Sequence, residues 1–171
     1  TTTFRYDQAG NIASQTDARG ITAHHSYDAL GRLQATTYPS DSSRNITYRY
    51  DQANTGSDAT PASYNAGIGR LTSIEDHSGS TQLRYDDRGN LIEDKRSTTL
   101  ASGSYNLTLS YRYDLSNQLS AIIYPDGTEV TYSRNTLGEV TDIKADIAGN
   151  WLDTTLAEQI RYQPFGPVKQ L

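Results

Sequence analysis

The sequence predicts an all-β chain, an antiparallel ribbon of β-hairpins assembled from one repeated unit over residues 1–171. Three observations carry that reading. A short unit recurs along the chain: Arg5-Tyr6-Asp7-Gln8-Ala9-Gly10-Asn11-Ile12 returns as Ser26-Tyr27-Asp28-Ala29-Leu30-Gly31-Arg32-Leu33 and as Arg84-Tyr85-Asp86-Asp87-Arg88-Gly89-Asn90-Leu91. Between copies, side-chain character alternates with a period of two, the period of a strand and not of a helix. The composition agrees: tyrosine supplies 13 residues against 2 Phe and 1 Trp, in a chain only 35% hydrophobic. Tyr and Thr suit amphipathic strands with one face turned to water.

The unit has a chemical logic. Asp accepts backbone N–H bonds across a turn, and a Gly three residues later takes the left-handed conformation that closes a type I turn with a bulge. Tyr-Asp-x-x-Gly is therefore a hairpin corner, and the Leu, Ile or Val two residues past the Gly starts the return strand. Tyr6, Asp7 and Gly10 form the first corner, and Tyr27, Asp28 and Gly31 form the second, with Leu33 after it. Gly69 and Leu71 keep only the second half of a unit. Tyr85, Asp86, Gly89 and Leu91 make a full copy, and Tyr113, Asp114 and Leu119 a weaker one with Asn117 in the glycine slot. Arg134 to Gly138 keeps the frame without the tyrosine, and Asp146-Ile147-Ala148-Gly149-Asn150-Trp151 is fainter still. Tyr162 and Gly166 close the series. The slots at 10 and 31, 69 and 89, and 117 and 138 lie 21, 20 and 21 residues apart, so longer gaps read as insertions.

A second kind of turn is expected between corners, at Ala18-Arg19-Gly20, Pro39-Ser40-Asp41-Ser42, His77-Ser78-Gly79-Ser80 and Pro125-Asp126-Gly127-Thr128. The stretch from Tyr105 to Tyr113 alternates without a fault, with three Tyr and two Leu on one face and Asn, Thr, Ser and Arg on the other. Each motif tyrosine is expected on the apolar face, packed sideways on its counterparts. Two segments depart from the pattern. Residues 52–68 read as a surface loop inserted between strands, and 152–160, with apolar residues at 152, 156 and 160, as one or two turns of helix.

Most other chemistry has a plainer explanation. Fifteen Lys and Arg, scattered singly, face 20 Asp and Glu for a net charge of −5, which argues against nucleic acid. There is no cysteine for a disulfide framework and no long apolar run for a membrane helix. His24 and His25 are adjacent on a strand and point to opposite faces, and neither they nor His77 have a second ligand at metal spacing. Asp86 and Asp87, and Asp142, Asp146 and Asp153, read as turn and surface carboxylates rather than acid–base pairs, and no Gly-x-Ser-x-Gly elbow is present. No cofactor is expected. Asn45-Ile46-Thr47 and Asn106-Leu107-Thr108 match glycosylation acceptors, relevant only to an endoplasmic-reticulum route. Trp151 and the tyrosines could stack sugars; packing between hairpins is the simpler role.

The repeated unit resembles the YD repeat of the Rhs family, over essentially the whole chain, and Tyr162-Gln163-Pro164-Phe165-Gly166 is similar to that family's YDPFG variant. The resemblance implies a continuous ribbon of hairpins forming part of a hollow shell, with no enzymatic activity in this stretch. In bacterial members such a shell holds a C-terminal toxic domain before delivery. The implied partners are thus a toxic cargo domain and neighbouring repeats of the same longer protein, in a secreted or cell-surface bacterial setting. The chain does not begin with Met and is expected to be an excerpt. No Asp-Pro-x-Gly segment is present, so self-cleavage is not carried over. A dozen strands of a sheet end in open edges that invite self-association. The alternative reading is a surface adhesion or glycan-binding module, as wall-associated and teneurin-like relatives imply.

Overall fold

The computed structural model describes residues 1–54, 63–100, 102–148, 154–163 and 168–170. These carry fifteen strands: β1 (Thr3–Tyr6), β2 (Ile12–Thr16), β3 (Thr22–Tyr27), β4 (Leu33–Thr37), β5 (Ile46–Tyr50), β6 (Leu71–Asp76), β7 (Gly79–Tyr85), β8 (Leu91–Leu100), β9 (Gly103–Tyr113), β10 (Leu119–Ile123), β11 (Glu129–Arg134), β12 (Val140–Asp146), β13 (Thr154–Ala157), β14 (Arg161–Tyr162) and β15 (Val168–Gln170). Strands β1 to β13 hydrogen-bond in chain order as one sheet, and β14 pairs with β15 in a separate hairpin. The pairs whose register is defined are all antiparallel. A short 3₁₀ turn at Ser42–Arg44, capped by the Asp41 carboxylate, carries the chain from β4 to β5.

The chain divides into two units, one of Thr1–Arg84 with Arg96–Asn106 and the other of Tyr85–Lys95 with Leu107–Leu171. The physical reason is nearest-neighbour packing. In a sheet laid down in chain order each strand meets mainly the next, so no single core binds distant parts together. Burial says the same: among the described residues the buried hydrophobic ones are Ala121, Ala145 and Ile160, joined by Ser14, Thr36, Asn65, Thr72 and Ser73. All but Ile160 and Asn65 are small residues on strands, and the larger tyrosines and leucines stand partly exposed around them.

In the first unit one sheet face carries Tyr27 opposite Leu33, and Tyr48 and Tyr50 opposite Ile74 and Leu71. The other face carries Ser14 opposite His24, Ser26 opposite Ala35 and Arg49 opposite Ser73. In the second unit Tyr111 and Tyr113 face Ile122 and Leu119, while Arg112 and Ser110 face Ala121 and Ile123. The polar face of β9 therefore meets apolar residues, which plain alternation does not foresee. A β-bulge is the cause. Register shifts by one between Leu119 and Ala121, leaving Ser120 as the extra residue and sending Ala121 and Ile123 to the opposite face from Leu119.

The helical turn expected at 152–160 is not formed. Thr154–Ala157 is strand β13, paired antiparallel with β12 through Ile143 to Ala157 and Ala145 to Thr154. The spacing of Leu156 and Ile160 mimics a helix, but β12 offers an edge, and the β-branched Thr154 and Thr155 fill it well. Gln159 then turns with a positive φ of 53°, and the Ile160 N–H reaches the Thr141 carbonyl at 2.9 Å. Leu152 and Asp153 lie outside the described residues, as do Trp151 and Gly166.

Candidate functional site

The part of the molecule with specific chemistry is the corner, and the structure repeats it nearly atom for atom. At the first corner the Asp7 N–H donates to the Asn11 carbonyl (2.8 Å) and the Gly10 N–H to the Asp7 carbonyl (3.2 Å). One Asp7 carboxylate oxygen accepts from the N–H groups of Ala9 and Asn11 at 2.9 and 2.8 Å. Asp28 does the same for Leu30 and Arg32, and Asp86 for Arg88 and Asn90. Asp114 receives the Gln118 N–H, and Asn135 takes the aspartate's place in the sixth corner, accepting from Leu137 and Glu139. Gly10, Gly31, Gly89 and Gly138 sit at φ of +75° to +87°, and Asn117 at +66° holds the same slot. Donated N–H groups favour the carboxylate form. The Asn11 N–H leads in holding Asp7 below its ordinary pKa, and the Arg32 N–H leads for Asp28. At Asp86 partial burial opposes the shift, but the bonds from Asn90 and Arg88 outweigh it.

Two corners were not evident as such in the sequence. Asp17-Ala18-Arg19-Gly20-Ile21, expected as a second kind of turn, makes the same bonds: Asp17 accepts from the N–H groups of Arg19 and Ile21, and Gly20 closes the turn onto the Asp17 carbonyl. The half-unit at Gly69 and Leu71 is completed by Tyr50 and Asp51. The Asp51 N–H donates to the Arg70 carbonyl at 3.1 Å, its carboxylate accepts the Gly69 N–H at 2.6 Å, and Tyr50 stands opposite Leu71. The insertion therefore lies inside a corner. Asn54 and Asn65 pair as an antiparallel bridge, and Asn65 donates to the Gln52 carbonyl, which ties the insertion's base.

A bulge follows the corner in copy after copy. Tyr6 faces Ile12 but Arg5 faces Ser14; Tyr27 faces Leu33 but Ser26 faces Ala35; Tyr50 faces Leu71 but Arg49 faces Ser73. The same step recurs at Tyr113 and Leu119, at Arg134 and Val140, and at Tyr162 and Val168. The extra residue is Ala13, Gln34, Thr72, Ser120, Thr141 or Lys169. Thr72, almost fully buried, turns its hydroxyl to the Arg49 carbonyl at 3.1 Å.

The motif tyrosine joins one hairpin to the hairpin before it. Tyr27 Oη donates to the Ile12 carbonyl at 3.0 Å, Tyr50 Oη to Leu33 at 2.9 Å and Tyr113 Oη to Leu91 at 3.0 Å. The ladder explains why those carbonyls need a donor. Pairing of β2 with β3 starts only at Ser14, and that of β4 with β5 only at Ala35, so Ile12 and Leu33 have no strand partner on that side. A carbonyl left without a donor costs ~1–3 kcal/mol, and the phenol hydroxyl avoids that loss. Burial and the charge of Asp86 push the Tyr113 phenol's pKa up.

The residue after the corner glycine adds a second link. Arg32 pairs with Asp28 of its own corner at 2.7 Å and with Asp51 of the next at 2.5 Å, its guanidinium 4.3 Å from the centre of the Tyr50 ring. Asn90 bonds Asp86 and Asn117 in the same manner. Asp51 and Asp28 together push the Arg32 pKa further up, and Arg32 in turn leads in lowering Asp51.

At the opposite end of the strands, Asp76 caps the His77-Ser78 turn. Its carboxylate accepts from the Ser78 N–H and hydroxyl at 2.8 and 2.6 Å, and pairs with Arg96 at 2.9 Å. The Arg96 bond, then the Ser78 hydroxyl, bring the Asp76 pKa down to about 2. A depressed carboxylate contributes stability that is present above its unfolded pKa of about 4 and disappears as pH falls through about 2. Arg96→Gln is expected to raise the Asp76 pKa toward 4 and to cost about 1 kcal/mol at pH 7, allowing for solvent screening. Carboxyl NMR titration and unfolding at pH 7 and pH 2 check this, and equal stability loss at both pH values would contradict it.

His24 and His25 stand on opposite faces, with a His25 ring nitrogen 3.1 Å from the Thr36 hydroxyl. Among the described residues no three His, Asp or Glu side chains converge as a metal site. No helix there is long and apolar enough to cross a membrane.

Comparison with known proteins agrees with the repeat. Residues 6–43 and 64–105 match the family model described as RHS Repeat. No curated protein matches the sequence. The fold is similar to the crystal structures of TcdB2-TccC3-Cdc42 (TM-score 0.79, 13% identity), TcdB2-TccC3-TEV (0.76, 13%) and TcdB2-TccC3 without hypervariable C-terminal region (0.76, 14%). In each case 98% of this chain is covered but only 9% of the other, so the chain spans a small part of those proteins' length. The chain therefore carries RHS repeats over residues 6–43 and 64–105 and shares the fold of these TcdB2-TccC3 structures.

Proposed function

We propose that this chain is a length of wall in an Rhs-type shell, and that the shell encloses a C-terminal toxic cargo domain until delivery. The role is structural, without turnover of a substrate, in a secreted or cell-surface bacterial protein. The observation that carries the reading is the joint between hairpins. Main-chain pairing in chain order would extend for any number of repeats, and the joints at Tyr27, Tyr50 and Tyr113 are fixed by a tyrosine hydroxyl, that at Tyr50 also by the Arg32–Asp51 pair, rather than by a central core. A barrier built this way needs no interior of its own and leaves its inner face for whatever it surrounds. Similarity to TcdB2-TccC3, one structure of which lacks a hypervariable C-terminal region, supports a variable domain beyond the repeats.

Limited proteolysis of the protein from the full open reading frame tests the proposal. A toxic domain following the repeats is expected to resist protease in the intact protein and to become cleavable when corners are broken, as by Gly31→Val combined with Gly89→Val. A membrane or wall anchor in place of a toxic domain, with glycan-array binding by the repeats, would overturn it in favour of adhesion.

A further inference from the structure

Two strand pairs of the sheet follow one plan and differ where they part toward their corners. In the first unit β2 and β3 are joined by the tight turn Asp17–Ile21 and pair through Ser14 with His24, Gln15 with Ala23 and Thr16 with Thr22. In the second unit β10 and β11 are joined by Tyr124–Thr128, with the same two main-chain bonds across the turn, and pair through Ala121 with Thr131, Ile122 with Val130 and Ile123 with Glu129. Each ladder stops three pairs from its turn, and beyond it the strands form an unpaired mouth. The Tyr27 hydroxyl closes the first mouth onto the Ile12 carbonyl. The equivalent residues of the second are Arg134 and Leu119. Among the described residues the Leu119 carbonyl receives no side-chain donor, and Arg134 has no acidic partner; its guanidinium lies 5.9 Å from the centre of the Tyr132 ring on its own strand. The link between corners changes as well. Gln118 stands where Arg32 does and Asn135 where Asp51 does, and the Asn135 amide bonds Glu139 within its own corner.

We propose that the β10–β11 mouth is an opening point built into the wall, at which β11 and the strands after it swing away from β10 about the Tyr124–Thr128 turn. A carbonyl without a donor favours the open state, because opening hydrates it, whereas a tyrosine joint must give up a hydrogen bond to open. The pivot end is held. The Asp126 carboxylate accepts the Thr128 N–H at 2.9 Å, and Arg112 of β9 reaches across β10 to Glu129 at 2.5 Å. The mouth itself is a cleft of about 510 Å³ whose lining includes Gln118, Ser120, Tyr132 and Arg134. Both strands lie inside the sheet, with a paired neighbour on each side. The inference goes beyond the wall reading: it rests on strand pairing alone and stands whether or not a cargo is enclosed.

Amide exchange of the protein from the full open reading frame, corrected for intrinsic rates, tests the proposal. The β10–β11 ladder, residues 121–123 with 129–131, is expected to open about fivefold more often than the β2–β3 ladder, residues 14–16 with 22–24, the equivalent of one hydrogen bond. Arg134→Tyr supplies the missing hydroxyl and should remove that difference, while Arg134→Phe, which supplies the ring alone, should not. Gln118→Arg combined with Asn135→Asp copies the Arg32–Asp51 link and should also slow opening, less so in high salt. Circular dichroism of the variants should match the parent. Equal opening of the two ladders in the parent, a comparison that needs no variant, would overturn the proposal. Equal slowing by Arg134→Tyr and Arg134→Phe would overturn it as well.

Discussion

Gly79→Ala is expected to destabilise the first unit by roughly 3 kcal/mol, the sum of backbone strain and overpacking. Gly79 follows the two-residue turn at His77-Ser78 and sits at φ +141°, a conformation that L side chains rarely adopt. A Cβ at this position would overlap the Ser97 carbonyl oxygen and lie 2.9 Å from the Thr98 Cα, both main-chain atoms of β8. Neither can rotate away as a side-chain tip could. The close approach is held on the other side by the Thr98 hydroxyl and the Thr99 N–H, which both donate to the Ser78 carbonyl, at 2.7 and 3.2 Å. Denaturant unfolding of the variant should show the loss with an unchanged slope. A loss below about 1 kcal/mol would mean that β8 gives way easily.

Gly31→Val separates conformation from contact. At φ +75° an added side chain at 31 meets nothing within 4 Å, so any cost is backbone strain. For a β-branched residue that strain is about 2 kcal/mol. Gly31→Asn should instead lie within about 0.5 kcal/mol of the parent, because Asn tolerates the left-handed region and Asn117 already occupies the equivalent slot at +66°. Thermal or denaturant unfolding of the pair decides it. Equal losses for Val and Asn would show that the corner does not depend on the left-handed conformation.

The corners stand out in the sequence because their chemistry is local. Asp7, Asp28 and Asp86 act on backbone within four residues, so spacing alone displays them. Two failures of recognition have physical causes. Asp17 follows Thr16 rather than Tyr, and its turn lies at the other end of the strands, yet the same carboxylate geometry forms without the tyrosine. The third corner was hidden because an insertion separates Asp51 from Gly69, and the hydrogen bond between them ignores chain distance. The bulges were invisible for a different reason: one unpaired residue changes face parity without changing composition, so Ala121 and Ile123 end up opposite Arg112 and Ser110.

The joints were the least legible feature. Tyrosine on an apolar face reads as a packing residue, and it does stand opposite the leucine across the strand pair. Its hydroxyl finds its partner 15, 17 or 22 residues earlier, at a carbonyl that lacks a ladder partner only because pairing between hairpins stops short of the corner. Arg32 is similar: its place after Gly31 is part of the repeat, but its bond to Asp51 depends on two corners lying side by side.

The tyrosine joint is the central claim, and one series of phenylalanine substitutions tests it most directly. Tyr27→Phe, Tyr50→Phe and Tyr113→Phe keep the ring and remove the donor, while Tyr6→Phe removes a hydroxyl that has no hydrogen-bond partner among the described residues. Denaturant unfolding of the four variants, at concentrations low enough to keep the chain monomeric, should show losses of about 1 kcal/mol for each of the first three. Exchange of the amides flanking Ile12, Leu33 and Leu91 should accelerate in the matching variant, and Tyr6→Phe should be indistinguishable from the parent. Equal effects at all four positions, or none at Tyr27, Tyr50 and Tyr113, would contradict the account.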